Sequence, residues 1–564
     1  MTSASAVADH QPRAPHALAG AVAGVLAAAV AIGVAQVAAG LTVPEASPVV
    51  AVGQAAIDLT PAPVKNFAIS AFGTADKTVL LGGILVVLAL YAALVGILAV
   101  RQLALGMWGL ALFAFIGLVA ALSRPDSTAE YIVPTLAGAA AGAFALTRLA
   151  RAAARLGEPR SEPRSAARPP APPPAPETLA PPDLPAPPAP AGSSFTYLPN
   201  PDDPDPRRTA RRRFLVSSGV AAAVAVAGTV AGRELATRRD VTLARAKLRF
   251  PRPAVAAPPL PAGSDLRIPG LSSFITPNGS FYRVDTALLL PQVDPSSWQL
   301  RIHGMVEREV TITFAELLRR PLIEDYLTLT CVSNPVGGPY VGNAKWLGAS
   351  LAGLIRQARP RAGASQLLCT SVDGFTSGTP LQVVLDGRDA LLAVAMNGSA
   401  LPVEHGFPAR MVIPGLYGYV SATKWVTDIE VTTFADASAY WVERGWSQQA
   451  PIKTESRIDV PAIGSTLRPG PTQVAGVAWA QHKGVAAVEV RVDRGPWHEA
   501  RLAAVPDIDT WRQWVWEWQA TPGNHLIEAR ATDKTGYTQT AVQAPPEPNG
   551  ASGYPSATVT VHGS

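Results

Sequence analysis

LTLTCVSNPVGGPYVGNAKWLG, residues 327–348, decides how this chain is read. A strand-like run, Tyr326 to Thr330, breaks at Cys331 into a glycine-rich turn, CVSNPVGGPYVGNAKW. Cys331 is one of only two cysteines in 564 residues. Free thiols are among the most buried groups in proteins, so a cysteine in an apolar strand is ordinarily core filling. Two features speak against that here. Gly337 and Gly338 keep Cβ atoms away from the sulfur, and Asn334, Asn343 and Lys345 bring polar groups into the same loop. Unpaired polar groups are costly to bury. The pattern suits a metal ligand at a strand end, with room beside it for a large ligand.

The rest of the chain is too long for one domain and uneven in composition. Charged residues make up 16% and hydrophobic ones 48%, a balance that points to a membrane-anchored protein. The net charge of +5 comes largely from arginines flanking apolar segments. There is no basic stripe interleaved with aromatics, so no nucleic-acid partner is expected.

Apolar stretches at about 17–40, 78–100, 102–122 and 131–149 each approach the ~20 residues needed to cross a bilayer, and residues 1–155 read as four transmembrane helices. Arg13 precedes the first stretch, Arg101 separates the second from the third, and Arg148, Arg151 and Arg155 follow the fourth. The intervening loops at 41–77 and 123–130 carry few basic residues, which puts the N-terminus in the cytoplasm. Residues 156–208, rich in Pro and Ala, read as an extended cytoplasmic spacer. Arg211, Arg212, Arg213, Phe214 and Leu215 then lead into a weakly apolar segment at 216–232. Residues 209–233 read either as a twin-arginine signal placed internally or as an ordinary fifth span with a basic cytoplasmic flank. Both readings place the remainder outside the cytoplasm, in a multi-pass cell-membrane protein. The twin-arginine reading adds export in the folded state. With Cys331 given another role, Cys369 has no partner and no disulfide is expected.

Residues 250–435 mix strands and short helices, an α+β domain. Thr313 and Glu316 form a capping-box pair before FAELLRR, and Ser350 stands before LAGLIRQA as a cap. Strands are expected at 366–373, 381–385, 409–414 and 423–432, with a tight turn at Asn397-Gly398. Residues 436–564 alternate strongly, as in VEVRVD (488–493) and WRQWVWEW (511–518), where Trp514, Trp516 and Trp518 share a face. They read as an all-β sandwich of immunoglobulin type with the tryptophans in its core.

Six motifs in order, SFYRVD (280–285), LTCVSN (329–334), GNAKWLG (342–348), MNGSALPVEHGFPARMVIPG (396–415), TKW (423–425) and KTESRIDVP (453–461), resemble the sulfite oxidase family of molybdopterin-dependent oxidoreductases. The resemblance covers about residues 265–560, with a catalytic domain followed by an immunoglobulin-like dimerisation domain. It implies a homodimer through the C-terminal domain. It also implies that Cys331 is the thiolate ligand of a molybdenum atom carried by one pyranopterin, and that Tyr282, His405, Arg410 and Lys424 surround the pterin and its phosphate. Arg283 matches a substrate-contacting arginine, with holding its loop or the cofactor as the alternative role. Two departures stand out: family members place an arginine shortly after the cysteine, where this chain has Asn334, Pro335 and Val336, and a tyrosine where it has Phe375. A pocket short of one cation and one phenol suits a small dianion such as sulfite less well.

The implied chemistry is two-electron oxygen-atom transfer to or from a small sulfur or nitrogen oxo compound, with electrons exchanged singly with a partner. The chain has no CxxCH, and His16 is the only histidine near a membrane span, so no haem is expected. An external electron carrier, a cytochrome or quinone-linked protein, is implied instead. A sulfoxide reductase of the envelope, acting on methionine sulfoxide, is the nearest alternative. A cysteine hydrolase using Cys331 with His405 as base, and a non-enzymatic envelope binding module, are the more distant ones.

Overall fold

The computed structural model describes residues 14–61, 64, 76–124, 127–157, 206–237 and 241–563. The chain forms two compact units, one made mainly of residues before 238 and the other of Arg238–Ser564 with two short segments at 56–73 and 124–127.

The first unit is helical. Its helices Ala14–Leu41, Asp76–Arg101, Leu103–Leu122, Ile132–Ala154 and Pro206–Thr237 are built around runs rich in Ala, Leu, Val and Gly, with arginines near the ends of the last two. Five helical segments, Ala17–Leu41, Val79–Arg101, Leu103–Leu122, Ala129–Ala154 and Arg208–Ala236, are long and apolar enough to cross a membrane. Small residues set how closely they approach. A Cβ at Gly24 would collide with the Ala92 carbonyl and lie 2.8 Å from Gly96, so these two helices pack backbone to backbone. The expected spacer at 156–208 lies outside the described residues except for its first two and last three positions, and the last helix begins inside it, at Pro206.

The second unit carries four sheets. One runs in the order Val310–Thr313, Gln299–Gly304, Val426–Thr432, Gln366–Ser371, Thr376–Pro380. Another runs Leu322–Thr330, Val341–Ser350, Leu391–Met396, Ser399–Ala400, with Arg410–Val412 paired to Leu391–Met396. Thr313 and Glu316 form the capping box of the helix Phe314–Leu318, and Ser350 Oγ caps Leu351–Ala358. Asn397 and Gly398 both have positive φ and close the hairpin between Leu391–Met396 and Ser399–Ala400.

Three expectations need correction. Residues 381–385 form a short helix, Leu381–Leu385, not a strand: Leu381 and Val384, three apart, are the buried positions, and Gln382 is exposed. The strand expected from 423 begins at Val426, because Trp425 adopts φ +50° and turns the chain before pairing starts. The turn after Cys331 ends at Tyr340, and Asn343 and Lys345 belong to the strand Val341–Ser350. There Asn343 is fully buried, accepting from Thr328 Oγ1 at 2.9 Å and donating to the Phe274 carbonyl at 2.9 Å. Lys345 pairs with Glu324 at 2.8 Å. Both are structural residues.

Beyond residue 455 two antiparallel sheets enclose a separate core. One is ordered Glu455–Val460, Gly470–Trp479, Arg512–Ala520, Arg501–Leu502; the other Thr466–Leu467, Ser556–Val561, Gly523–Asp533, Val485–Val492, His498–Glu499, its first pairing parallel. Trp514 and Trp518 are buried between them, with Trp516 packed against the same core from a partly buried position. Trp479 and Trp511, by contrast, join the core of the preceding sheets beside Leu300, Ile302 and Leu392. Truncating Trp514 to alanine should cost about 3–5 kcal/mol. A clearly lower unfolding temperature of the full-length protein would register that loss.

Candidate active site

Cys331 follows the last residue of the strand Leu322–Thr330, and the next strand returns from Val341. The ten-residue excursion between them is held by its own backbone: Cys331 N–H donates to the Tyr340 carbonyl at 2.9 Å and Asn334 N–H to the Cys331 carbonyl at 3.1 Å. Asn334 Oδ1 accepts from Tyr340 N–H at 2.8 Å. The thiol is 9% exposed. Burial pushes its pKa up, while the backbone amide and hydroxyl of Ser333, and beyond them Lys424, pull it down. Burial wins, so the uncoordinated sulfur rests as a neutral thiol, yet it faces hydrogen-bond donors and a cation rather than an aliphatic core.

The hairpin and turn at 396–425 bring in the cations. Gly406 has φ +106°, and a Cβ there would lie 3.0 Å from Arg410 Cβ and 3.1 Å from Lys424 Cα, so its bare backbone allows these two residues to lie side by side. Arg410 is 6% exposed. Its guanidinium stacks over Trp346 at 5.3 Å and donates only to backbone carbonyls, those of His405 at 3.2 Å, Ala422 at 3.1 Å and Met411 at 3.4 Å. No carboxylate pairs with it among the described residues, and burial pulls its pKa down to about 10. Lys424 is likewise desolvated, to about 8, although Asp285 lies 2.7 Å from its ammonium.

Asp285 also takes Arg283, at 2.8 Å from Nε. The Arg283 fork therefore turns onto its own loop, and its side chain remains 39% exposed at the edge of the site. Tyr282, on the same loop, stacks on Phe281 at 5.2 Å; burial, then the nearby Cys331, raises its pKa, so it stays a neutral phenol. His405 is buried and its Nε2 sits 3.2 Å from the Asn278 carbonyl, which fixes the proton on Nε2. Burial, reinforced by Arg410, pulls its pKa down to about 4. It is a neutral acceptor through Nδ1 rather than a third cation. It is also a poor base, and the thiol's hydrogen-bond partner is Ser333, so a Cys331–His405 hydrolytic pair has no support.

All six expected residues thus lie around one site, and three that sequence reasoning passed over join them. Asp285 and Ser333 each stand inside a motif already singled out, two positions beyond Arg283 and Cys331. Asp373, in the turn before Phe375, adds a carboxyl whose pKa burial raises and which feels Asp285 and Lys424. Phe375 itself packs on Tyr440 at 5.8 Å between ring centres.

A metal at Cys331 would have one protein ligand. Among the described residues no group of three or more His, Cys, Asp or Glu is placed to hold a metal ion, so the remaining donors must arrive with a cofactor. A buried arginine without a carboxylate needs an anion, which the phosphate of a pterin cofactor would provide. Donor set and charge both fit a molybdenum–pyranopterin.

Residues 287–441 match the family described as the oxidoreductase molybdopterin binding domain. The uncharacterized oxidoreductase YuiH of Bacillus subtilis (strain 168) is 30% identical over 153 residues, covering 27% of this chain and 74% of that protein. Sulfite oxidase of Gallus gallus is 29% identical over 322 residues, covering 48% of this chain and 69% of the chicken protein. This chain belongs to the sulfite oxidase family of molybdopterin-dependent oxidoreductases. It spans about half the length of a mitochondrial relative, 53% of the sulfite oxidase of Rattus norvegicus. The sulfane dehydrogenase SoxCD of Paracoccus pantotrophus is a structural neighbour at 23% identity and TM-score 0.44, covering 51% of this chain and 84% of that one. As a sulfite oxidase family member the protein is a molybdenum-dependent oxidoreductase with a molybdopterin-binding domain.

The depressed pKa of Lys424 has a consequence for cofactor retention. Its ammonium loses charge as pH rises, and a bound anion raises the value, so release of the cofactor should accelerate at or above about pH 8. Pterin fluorescence during incubation would follow this. Lys424→Gln should release it quickly at every pH, and Lys424→Arg should move the onset higher.

Proposed function

We propose that this protein is a membrane-anchored, extracytoplasmic enzyme that transfers an oxygen atom to or from a small sulfur or nitrogen oxo compound and exchanges electrons with an external carrier. The buried cations around Cys331, Arg410 foremost, carry the reading. They make a site for an anionic cofactor whose metal meets the thiolate.

In this reading Cys331 ligates molybdenum, Ser333 fixes the thiolate, and Arg410 and Lys424 hold the phosphate-bearing cofactor through charge-assisted hydrogen bonds. Bound there, the cofactor supplies two-electron oxygen-atom transfer. Asp285 orients Lys424 and draws Arg283 back from the pocket, while His405 offers an acceptor and Tyr282 a neutral hydroxyl. Arginine flanks and apolar helices support a multi-pass anchor with the catalytic part outside the cytoplasm. The two sheets beyond residue 455 serve as an immunoglobulin-like domain and, following the family, as the surface for a homodimer. A cytochrome or quinone-linked carrier takes or supplies the electrons.

Sulfoxide reduction is the second reading, and the charge distribution favours it over sulfite oxidation. The turn after Cys331 carries Asn334, Pro335 and Val336 in place of a cation, and Arg283 already has a carboxylate partner. Fewer free positive charges face the substrate, so a neutral sulfoxide is admitted at less cost than a dianion.

Assays of the purified full-length holoenzyme with methionine sulfoxide, an N-oxide and sulfite decide this. The expected order of kcat/KM places the neutral oxo compounds above sulfite, with all turnover lost in Cys331→Ala. Preference for sulfite would reverse the substrate assignment. Full activity in Cys331→Ala would remove the mechanism.

A further inference from the structure

Oxygen-atom transfer balances only with water: substrate plus water gives oxidised substrate, two protons and two electrons, or the reverse. The residues assigned so far bind and orient, and a buried site also needs a way for protons to reach solvent. Behind the strand Leu322–Thr330, which leads into Cys331, lie buried side chains with polar atoms that find no partner among the described residues: Glu455 Oε1, Trp479 Nε1, Gln481 Oε1 and Asp509 Oδ1. Buried polar atoms are paired in roughly 90% of cases or more, commonly through ordered water. Glu455 and Trp479 pair across one ladder, and Gln481 and Asp509 both bond to Thr328, so these unpartnered atoms call for an explanation.

Three of these residues or their neighbours are tied to the stretch Thr328–Thr330 that leads into Cys331. His482, 37% exposed, has Nδ1 3.3 Å from Asp509 Oδ2. The Asp509 carbonyl accepts from Thr328 N–H at 3.0 Å. Gln481 Nε2 donates to the Thr328 carbonyl at 3.1 Å and to Thr330 Oγ1 at 2.9 Å, one residue before Cys331. Trp479, two residues earlier, faces Glu455 directly across the antiparallel ladder. Glu455 is only 4% exposed, and Tyr417, which accepts from the Lys453 amide at 3.4 Å, feels the charge of both Glu455 and Cys331.

We propose that Glu455 is the inner proton station of the Cys331 site and exchanges its proton with solvent through water ordered along Gln481, Asp509 and His482. The inference rests on the oxygen-transfer reading above. Burial raises the Glu455 pKa to about 8 against the weaker pull of Lys453, two residues before the strand begins, and Tyr417, at the N-terminus of the short helix Gly418–Ser421, is the other titratable group that interacts with it. At neutral pH it holds a proton that it can release. When the site consumes protons, the carboxyl O–H bond breaks toward the site and the carboxylate is reprotonated from the seam of Gln481, Asp509 and His482; when the site releases protons, the carboxyl first gives its proton to the seam and the carboxylate then takes one from the site, once per proton. No electron moves.

The full-length holoenzyme tests this through two independent readouts. Infrared spectra at neutral pH should contain the carbonyl band of a protonated carboxylic acid that is absent in Glu455→Gln. In heavy water that band should shift promptly in the native protein and slowly in Gln481→Leu, whether or not a substrate is known. Glu455→Gln should also lower kcat by at least about tenfold with KM and molybdenum content unchanged, and Glu455→Asp should recover part of it. No such band, or equal exchange in Gln481→Leu, would overturn the proposal, as would unchanged kcat in Glu455→Gln with its cofactor intact. If the native enzyme turned over no oxo compound, the oxygen-transfer reading would fail while the exchange measurement still judged the seam.

Discussion

An arginine buried without a carboxylate is the constraint around which this molecule is arranged. The desolvation cost of such an ion is several kcal/mol, and hydrogen bonds to three peptide carbonyls with one stacked indole recover only part of it. Arg410 is nevertheless fixed there by a short strand on Leu391–Met396, and Gly406 lets Lys424 come up beside it. Two cations this close repel, and Asp285 bonds only one of them. A bound anion would offset the charge that Asp285 leaves unbalanced. The thiol after the end of a neighbouring strand lies within electrostatic reach of Lys424, so cations and sulfur share one site.

The same charge accounting bears on what enters. Asp285 draws the Arg283 guanidinium and the Lys424 ammonium toward itself, and Asn334 spends its carbonyl oxygen on the loop backbone. Little free positive charge remains on the substrate side of the sulfur. Charge needed to hold the cofactor is thereby kept apart from charge that would select a dianionic substrate.

Much of this was legible in the residues themselves. A cysteine after an alternating strand, a capping box at Thr313, an Asn-Gly hairpin and five long apolar runs are local signals, and the structure places each where the local pattern puts it. Partnerships across the sheet were not legible. Asn343 and Lys345 read as loop polars, yet each has a partner far away in sequence, and only the register of Leu322–Thr330 against Val341–Ser350 reveals it. Residues 381–385 carry β-branched side chains, but burial at three-residue spacing overrides that propensity. Asp285 gave no signal beyond lying in a recognised motif, since its role exists only once Lys424, 139 positions later, folds against it.

The central claim, that the Cys331 sulfur grips molybdenum, is tested most directly by X-ray absorption at the metal edge on the full-length protein. The account predicts that Cys331→Ser, with pterin still bound, loses one sulfur from the metal's coordination shell and gains an oxygen. An identical sulfur shell in native and variant proteins would contradict it.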